Sequence, residues 1–190
     1  MPRLSELAII KSGSPQARIR EALLGDAPVY PYYGQPEMES DLSGIEEPTL
    51  PKEVRTYDEV TTLEAGDLVF SLASGKCTIV QPSHSGYVIT QNYVKIVPSP
   101  QVVPSFLAYI LNEDERIRHQ LAIGQQGSAT MRFSIKQLSE LELSELPFIE
   151  VQELMGKTYF DQLRLAALKT RLASSEVALV KMKLKGIRQS

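Results

Sequence analysis

The chain has 190 residues, one cysteine, two histidines and a formal net charge of −3. That length suits one domain with an appendage, while Cys77 alone excludes an internal disulfide or a cysteine-based zinc site and the isolated His84 and His119 do not make a metal centre. No apolar run approaches the ~18 residues of a membrane span, and residues 1–10 lack the regions of a secretion signal, so a cytoplasmic protein without membrane contact is expected.

The first element, Leu4-Ser-Glu-Leu-Ala-Ile-Ile-Lys11, is short and apolar and ends in the turn cluster Ser12-Gly-Ser-Pro15. Ser12, Ser14, Arg18 and Arg20 make a basic polar loop. Residues 25–53 are rich in Pro, Gly, Asp and Glu and predict an irregular, exposed segment with brief strands. Within it, Val29-Tyr-Pro-Tyr-Tyr33 carries two open readings. Tyr32 and Tyr33 either stack on bases, as exposed loop aromatics can, or pack on a sheet edge.

Asp67 to Leu72 predicts a strand after the turn Glu64-Ala-Gly66. Ser74-Gly75 breaks it, and residues 76–81 return as a second strand, making a hairpin. Tyr87 to Thr90 and Gln91 to Val97 add strand up to Pro98-Ser-Pro100. Several short strands joined by turns argue for a small curled sheet rather than a βαβ array. Pro104 then opens a helix, with Phe106, Leu107, Ile110, Leu111, Ile117 and Leu121 on one apolar stripe and Gly124 as its stop.

Gln125 to Arg132 is a polar, Gly-flanked loop. Ser134 with Gln137 predicts a capping box that starts a helix at Ile135 and turns Leu138 and Leu141 inward. Leu143 to Leu146 reads as a short strand ended by Pro147. From about Glu150 to Lys185 no proline interrupts a helix-favouring composition. A helix of about 36 residues would run ~54 Å, more than a domain of this size can cover. Leu154, Leu165, Leu168, Leu172, Leu179 and Met182 fall on a seven-residue frame, which Thr158, Asp161 and Ser175 interrupt. That stripe needs a partner helix. The expected fold class is therefore α+β: a small curled sheet with packed helices, then one long C-terminal helix. The expected division is 1–148 and 149–190.

Charge follows the same division. Residues 21–64 carry eleven carboxylates against Lys52 and Arg55. Toward the end, Arg164, Lys169, Arg171, Lys181, Lys183, Lys185 and Arg188 face only Glu176. A polyanion would be repelled by the first stretch and attracted by the second, unless both are simply solvated faces.

An enzyme is not expected. A methyltransferase needs a Gly-rich cofactor loop after a strand and an Asn- or Asp-Pro-Pro-aromatic motif, and neither is present. Asp67 with Lys76 lacks the further acid of a nuclease, and two scattered histidines suggest no Ser-His-Asp arrangement. No catalytic residue, metal or cofactor is assigned.

The ordered set Leu4-Ser-Glu-Leu-Ala-Ile-Ile-Lys-Ser-Gly, Ala65-Gly-Asp-Leu-Val-Phe-Ser71, Tyr87-Val-Ile-Thr-Gln-Asn-Tyr93, Phe106-Leu-Ala-Tyr-Ile-Leu111, Gly127-Ser-Ala-Thr, Phe133-Ser-Ile-Lys-Gln-Leu138 and Leu141 to Pro147 with Glu150 and Gln152 covers nearly the whole chain. It resembles the target-recognition half of the specificity subunit of type I restriction-modification systems. Two positions depart from that pattern: Phe148 stands where a second proline is usual and Val151 where a second acid is usual. No second copy of the domain follows.

The resemblance implies a half-subunit, without catalytic activity, that reads one half of a bipartite site in double-stranded DNA. The long helix would be a spacer, paired antiparallel with its copy in a homodimer through Leu154, Leu165, Leu168, Leu172, Leu179 and Met182. A partner methyltransferase subunit would carry S-adenosylmethionine, and a separate translocating restriction subunit would cut. Base reading needs donors and acceptors on loops, and phosphate holding needs Lys, Arg, Ser, Thr and free amides. Gln125, Gln126 and Arg132 are the candidate base readers. Gly127 admits close backbone approach, and Ser128 and Thr130 suit phosphates. Ser74 and Lys76 at the hairpin turn are a second phosphate site. Gln91 and Asn92 are readers or turn formers. The acidic 37–64 segment is expected to face away from DNA. An alternative remains open, a protein-interaction module with a dimerising helix and no DNA contact. A positive face around Gln125 to Arg132 and the 74–76 turn would separate the two.

Overall fold

A computed structural model describes residues 1–22, 25–46, 50–123 and 132–189. It begins with one helical turn, α1 (Leu4–Leu7), running directly into β1 (Ala8–Ser12). With β4 (Leu68–Ser71), β5 (Cys77–Ile79) and β6 (Tyr93–Pro98) this strand forms a four-stranded antiparallel sheet ordered β1-β6-β4-β5. The short strands β2 (Val29–Pro31) and β3 (Glu53–Arg55) pair antiparallel in a sheet of their own.

The apolar run Leu68-Val-Phe is buried on both faces of the main sheet, which is why it does not alternate with polar residues. Leu68, Phe70, Val94 and Ile96 point into one cluster with α1, α3 (Pro104–Glu113), α4 (Glu115–Ile123) and α5 (Ile135–Ser139). Val69 and Tyr93 point the other way, to Tyr33, Met38, Leu63, Val80 and Ile89.

The hairpin, the apolar stripe after Pro104 and the inward Leu138 and Leu141 are as the sequence predicts. So is the capping box. Gln137 N–H donates to Ser134 Oγ (3.1 Å), and Ser134 N–H to Gln137 Oε1 (2.8 Å).

Four local expectations are corrected. Residues 25–53 are not merely irregular: they hold a nine-residue helix, α2 (Gln35–Ser43). Pro36 sits in its first turn, the Glu37 carboxylate accepts from Gly34 N–H (2.9 Å), and Gly44 ends it at φ 63°. The helix after Pro104 is two helices. Asp114 is extended, and its carboxylate accepts from the amides of Arg116 (2.8 Å) and Ile117 (3.2 Å), capping α4. Tyr87 to Asn92 is not continuous strand but bridges at Val88 and Thr90 followed by a turn. Leu143 to Leu146 supplies no strand; the pairing there is one bridge from Glu142 to Arg3.

Cys77 lies fully inside the core, and burial pushes its thiol up, away from the reactive thiolate. A thiol reagent should therefore leave the native protein unlabelled and modify one cysteine per chain in denaturant. Stoichiometric labelling of native protein within minutes would contradict this packing.

The long helix α6 (Ile149–Gln189) has 41 residues. Among the described residues, no helix is long and apolar enough to cross a membrane.

Candidate nucleic-acid interface

Antiparallel pairing brings the end of β1, the end of β4, the start of β5 and the start of β6 to one end of the sheet, where Ser12 pairs with Val94 and Ser71 with Tyr93. Four segments meet there. The first is the hairpin turn. Ser71 Oγ accepts from Ser74 N–H (3.1 Å), Gly75 N–H donates to the Ser71 carbonyl (2.9 Å), and Ser71 N–H donates to the Lys76 carbonyl (2.9 Å). Gly75 is at φ 67°, and a Cβ there would sit 2.5 Å from the Phe133 ring. Only glycine meets both conditions. The turn leaves Ser74 exposed and Lys76 half-buried.

The second segment is the turn at Gln91 and Asn92, closed by Tyr93 N–H to the Thr90 carbonyl (3.0 Å). The Asn92 carbonyl accepts from Leu72 N–H (2.8 Å), tying this turn to the hairpin. The third is the stretch after β1. Gly13 lies so close to the second turn that a Cβ would be 2.2 Å from the Thr90 carbonyl oxygen. Gln16 N–H donates to the Gln91 Oε1 (2.8 Å). The fourth is Arg132 with Phe133. The Arg132 guanidinium donates to the Gln91 carbonyl, and Phe133 N–H donates to the Leu72 carbonyl (2.8 Å). The Phe133 ring meets Phe70 edge-on at 6.2 Å.

Lys76, Ser74, Gln91, Asn92 and Arg132 are thus drawn together, although 58 positions separate the first and last in sequence. Tyr32 lies to the side of them, next to Gln16. It is half-buried, and its hydroxyl is held above its ordinary value by burial and then by the Glu21 carboxylate. Tyr33 does not join them, which corrects its assignment as a DNA-contacting tyrosine. It is 1% exposed, and its hydroxyl donates to Asp41 Oδ2 (2.8 Å). The backbone stays extended just past β2, with Tyr32 bridged to Val88 and Tyr33 N–H donating to the Val88 carbonyl (2.9 Å), and adjacent side chains of extended backbone point to opposite sides. Gln125, Gln126, Gly127, Ser128 and Thr130 lie outside the described residues. Gln16 was not singled out by sequence. Its place beside a polar Ser-Gly-Ser turn was the available signal.

Opposite this end, a different polar arrangement is sealed inside. Asp41 accepts from Tyr33, from Gln81 N–H (3.2 Å) and from His84 Nδ1 (2.6 Å). Burial raises the Asp41 carboxyl above its ordinary value, and these donors oppose the rise. With Asp41 buried and its oxygens taken up by three donors, it is a structural tie rather than a reactive site.

No family model matches the chain, and no curated protein matches it. Solved structures do. The HsdS subunit from Thermoanaerobacter tengcongensis superposes with a TM-score of 0.59 at 22% identity, covering 95% of this chain and 41% of that one. A chain from the structural work on complex assembly and conformational transition of the type I R-M system gives 0.60 at 21% identity, covering 95% and 42%. The fold is that of half a type I S subunit. The S subunit of the type I restriction-modification system from M. genitalium gives 0.54 at 18% identity, over 93% of this chain and 42% of that one. This chain thus spans about two fifths of the length of the three chains it matches.

In this S-subunit fold the joint between domain and helix is closely built. Gln152 is 1% exposed: its Oε1 accepts from Val103 N–H (2.9 Å), and its Nε2 donates to the carbonyls of Gln101 (3.1 Å) and Pro147 (2.9 Å). Gly156 lies against Ser105 and Phe106 at the start of α3. The Tyr159 hydroxyl accepts from Asn112 Nδ2 (3.0 Å) and donates to Glu113 Oε1 (3.1 Å). Leu165 follows Gly156 by nine residues, about two and a half turns, and so points away from the domain. Leu154, Leu165, Leu168, Leu172, Leu179 and Met182 are 44–70% exposed, on the side opposite the joint. A second apolar row was not foreseen. Val177, Val180, Leu184 and Ile187 follow one another at spacings of three and four residues and are 54–73% exposed.

Proposed function

We propose that this chain is a non-catalytic, sequence-specific DNA-recognition subunit of a type I restriction-modification methyltransferase. It reads one half-site and acts as a homodimer. The observation that carries this is the gathering of Ser74, Lys76, Gln91, Asn92 and Arg132 at one end of the sheet, with Tyr32 to the side, in an S-subunit fold. Arg132 is close in sequence to Gln125, Gln126, Gly127, Ser128 and Thr130, which complete the proposed contacts. Amides and a guanidinium suit base edges, while serine, threonine and lysine suit phosphates. Residues 1–148 are the recognition domain and 149–190 the spacer.

Two such chains pair antiparallel through the Leu154 to Met182 row, so the site they read is palindromic. The methyltransferase subunit supplies the chemistry and its cofactor, and a restriction subunit can join the assembly in the cytoplasm. Assembly of a type I R-M system is the subject of one similar structure, which supports these partners by analogy.

The test is the full chain assembled with its methyltransferase subunit, with methylated bases mapped. Two identical half-sites at fixed spacing are expected. Gln126→Ala with Arg132→Ala should change the methylated sequence or slow methylation about tenfold or more. Leu165→Lys with Leu172→Lys should sediment as a monomer and lose the twin site. An unchanged target in the first pair removes the base-reading assignment. A persistent dimer in the second removes the seam. Methylation independent of this chain would leave the protein-interaction reading instead.

A further inference from the structure

We propose that Lys76 and Arg118 form a clamp for one phosphodiester group of the DNA backbone, an assignment that rests on the DNA-recognition reading above. Between the hairpin turn and α4 lies a cleft of about 180 Å³. Ser74, Gly75, Lys76, Asn112, Arg118 and Phe133 line it, with Leu111, Leu121 and Ala122 as apolar walls. It therefore holds two cations and no carboxylate. Among the described residues neither Lys76 nor Arg118 is in an ion pair. Two like charges directed at one cleft repel each other, and an anion between them relieves that repulsion.

The cleft is built from fixed parts. Lys76 follows a turn locked by three hydrogen bonds to Ser71 and by the Gly75–Phe133 contact. Arg118 sits on α4 beside buried Ile117, one turn after the Asp114 cap, and its amide donates to the Asp114 carbonyl (2.9 Å). Asn112 has no donor left for an anion. Its Oδ1 accepts from Cys77 N–H (2.8 Å), and its Nδ2 donates to the Cys77 carbonyl (2.7 Å) and to Tyr159. It forms a rigid floor. The groups that face outward are thus an ammonium, a guanidinium and the Ser74 hydroxyl, the donor set that holds a phosphate. Phe133 walls the cleft and is the next residue after Arg132. A phosphate held here lies one residue from the proposed base reader, so the clamp sets register for reading without itself reading sequence.

The experiment uses the full chain with its methyltransferase subunit. Binding to a cognate and a non-cognate duplex is followed from about 50 to 200 mM salt. Lys76→Gln with Arg118→Gln should weaken both duplexes by the same factor, about tenfold, and reduce the salt slope by about one. Arg132→Ala should instead weaken the cognate duplex selectively. Unfolding curves of the double variant should match wild type, since Arg118 is exposed and Lys76 half-buried, and Lys76→Arg should keep wild-type affinity and slope. If wild type binds DNA and the double variant keeps its affinity and slope, the clamp is wrong and the recognition reading survives. If no duplex binds even at low salt, both fall. If inorganic phosphate at millimolar levels saturates the cleft while duplex binding is unaffected, the site takes free phosphate and the DNA assignment is overturned.

Discussion

Replacing Gly156 with alanine will destabilise the protein, although the same change in an exposed helix stabilises by up to about 1 kcal/mol. A Cβ at this position would stand 2.3 Å from Ser105 Oγ, 2.6 Å from Phe106 N and 2.7 Å from the Ser105 carbonyl carbon. Two of those atoms are backbone at the start of α3 and cannot rotate away. Either α6 lifts from the domain or α3 shifts in a packed core, at a cost of about 1–3 kcal/mol. Valine should cost more.

Gly186 supplies the control. A Cβ there meets nothing within 4 Å, so Gly186→Ala should be neutral or stabilising. Urea unfolding of the two variants side by side gives the answer. Equal effects of the two alanines would show that helix propensity, not the joint, governs α6. The consequence for function is larger than the stability change. If the two half-sites are separated by paired helices, a lifted α6 re-aims each recognition domain, and methylation should fall more than stability predicts.

Asp41→Ala will remove the tie that holds three segments together, at about 3–5 kcal/mol. Asp41 is 0% exposed and accepts from the Tyr33 hydroxyl, the His84 ring and the Gln81 amide. Truncation leaves the buried Tyr33 and His84 donors and the part-buried Gln81 amide without this acceptor, which is costly for the buried pair. Tyr33 and Tyr87 meet the His84 ring edge-on, and Tyr93 meets the Tyr33 ring edge-on, so loosening should spread through this second cluster. Asp41→Asn keeps one acceptor and the volume, and should lose less than alanine. Thermal unfolding should rank wild type above asparagine above alanine. An alanine variant within about 0.5 kcal/mol of wild type would mean that the arrangement contributes nothing to stability.

The residues of this tie explain why parts of the fold escaped the sequence. Asp41 and His84 are 43 positions apart. Asp41 belongs to a run of acids and glycines that by composition reads as a solvated loop. The local marks of α2 were present, Pro36 and Glu37 at one end and Gly44 at the other, but a helix with so little apolar surface has no periodicity to detect. What makes it a helix is the burial of Met38 and Asp41 against the sheet. The two readings of Tyr33 stayed open for the same reason: only its buried partner Asp41 distinguishes it from Tyr32. At the break in the apolar stripe, by contrast, Asp114 had local evidence that the stripe overrode.

The sequence by itself determined what depends on near neighbours. The Ser134–Gln137 capping box, the hairpin about Gly75, the stripe from Phe106 to Leu121 and a long helix with an uncovered leucine row all follow from contacts within a few residues, where spacing fixes geometry. Tertiary structure decided which polar residues share a place. The Gln91 turn meets Gln16 and Arg132, Lys76 meets Arg118 across a cleft, and Gly156 takes its meaning from Ser105. Those meetings come from strand order and helix docking, which are set by the burial of the whole core. No local window of residues contains that information.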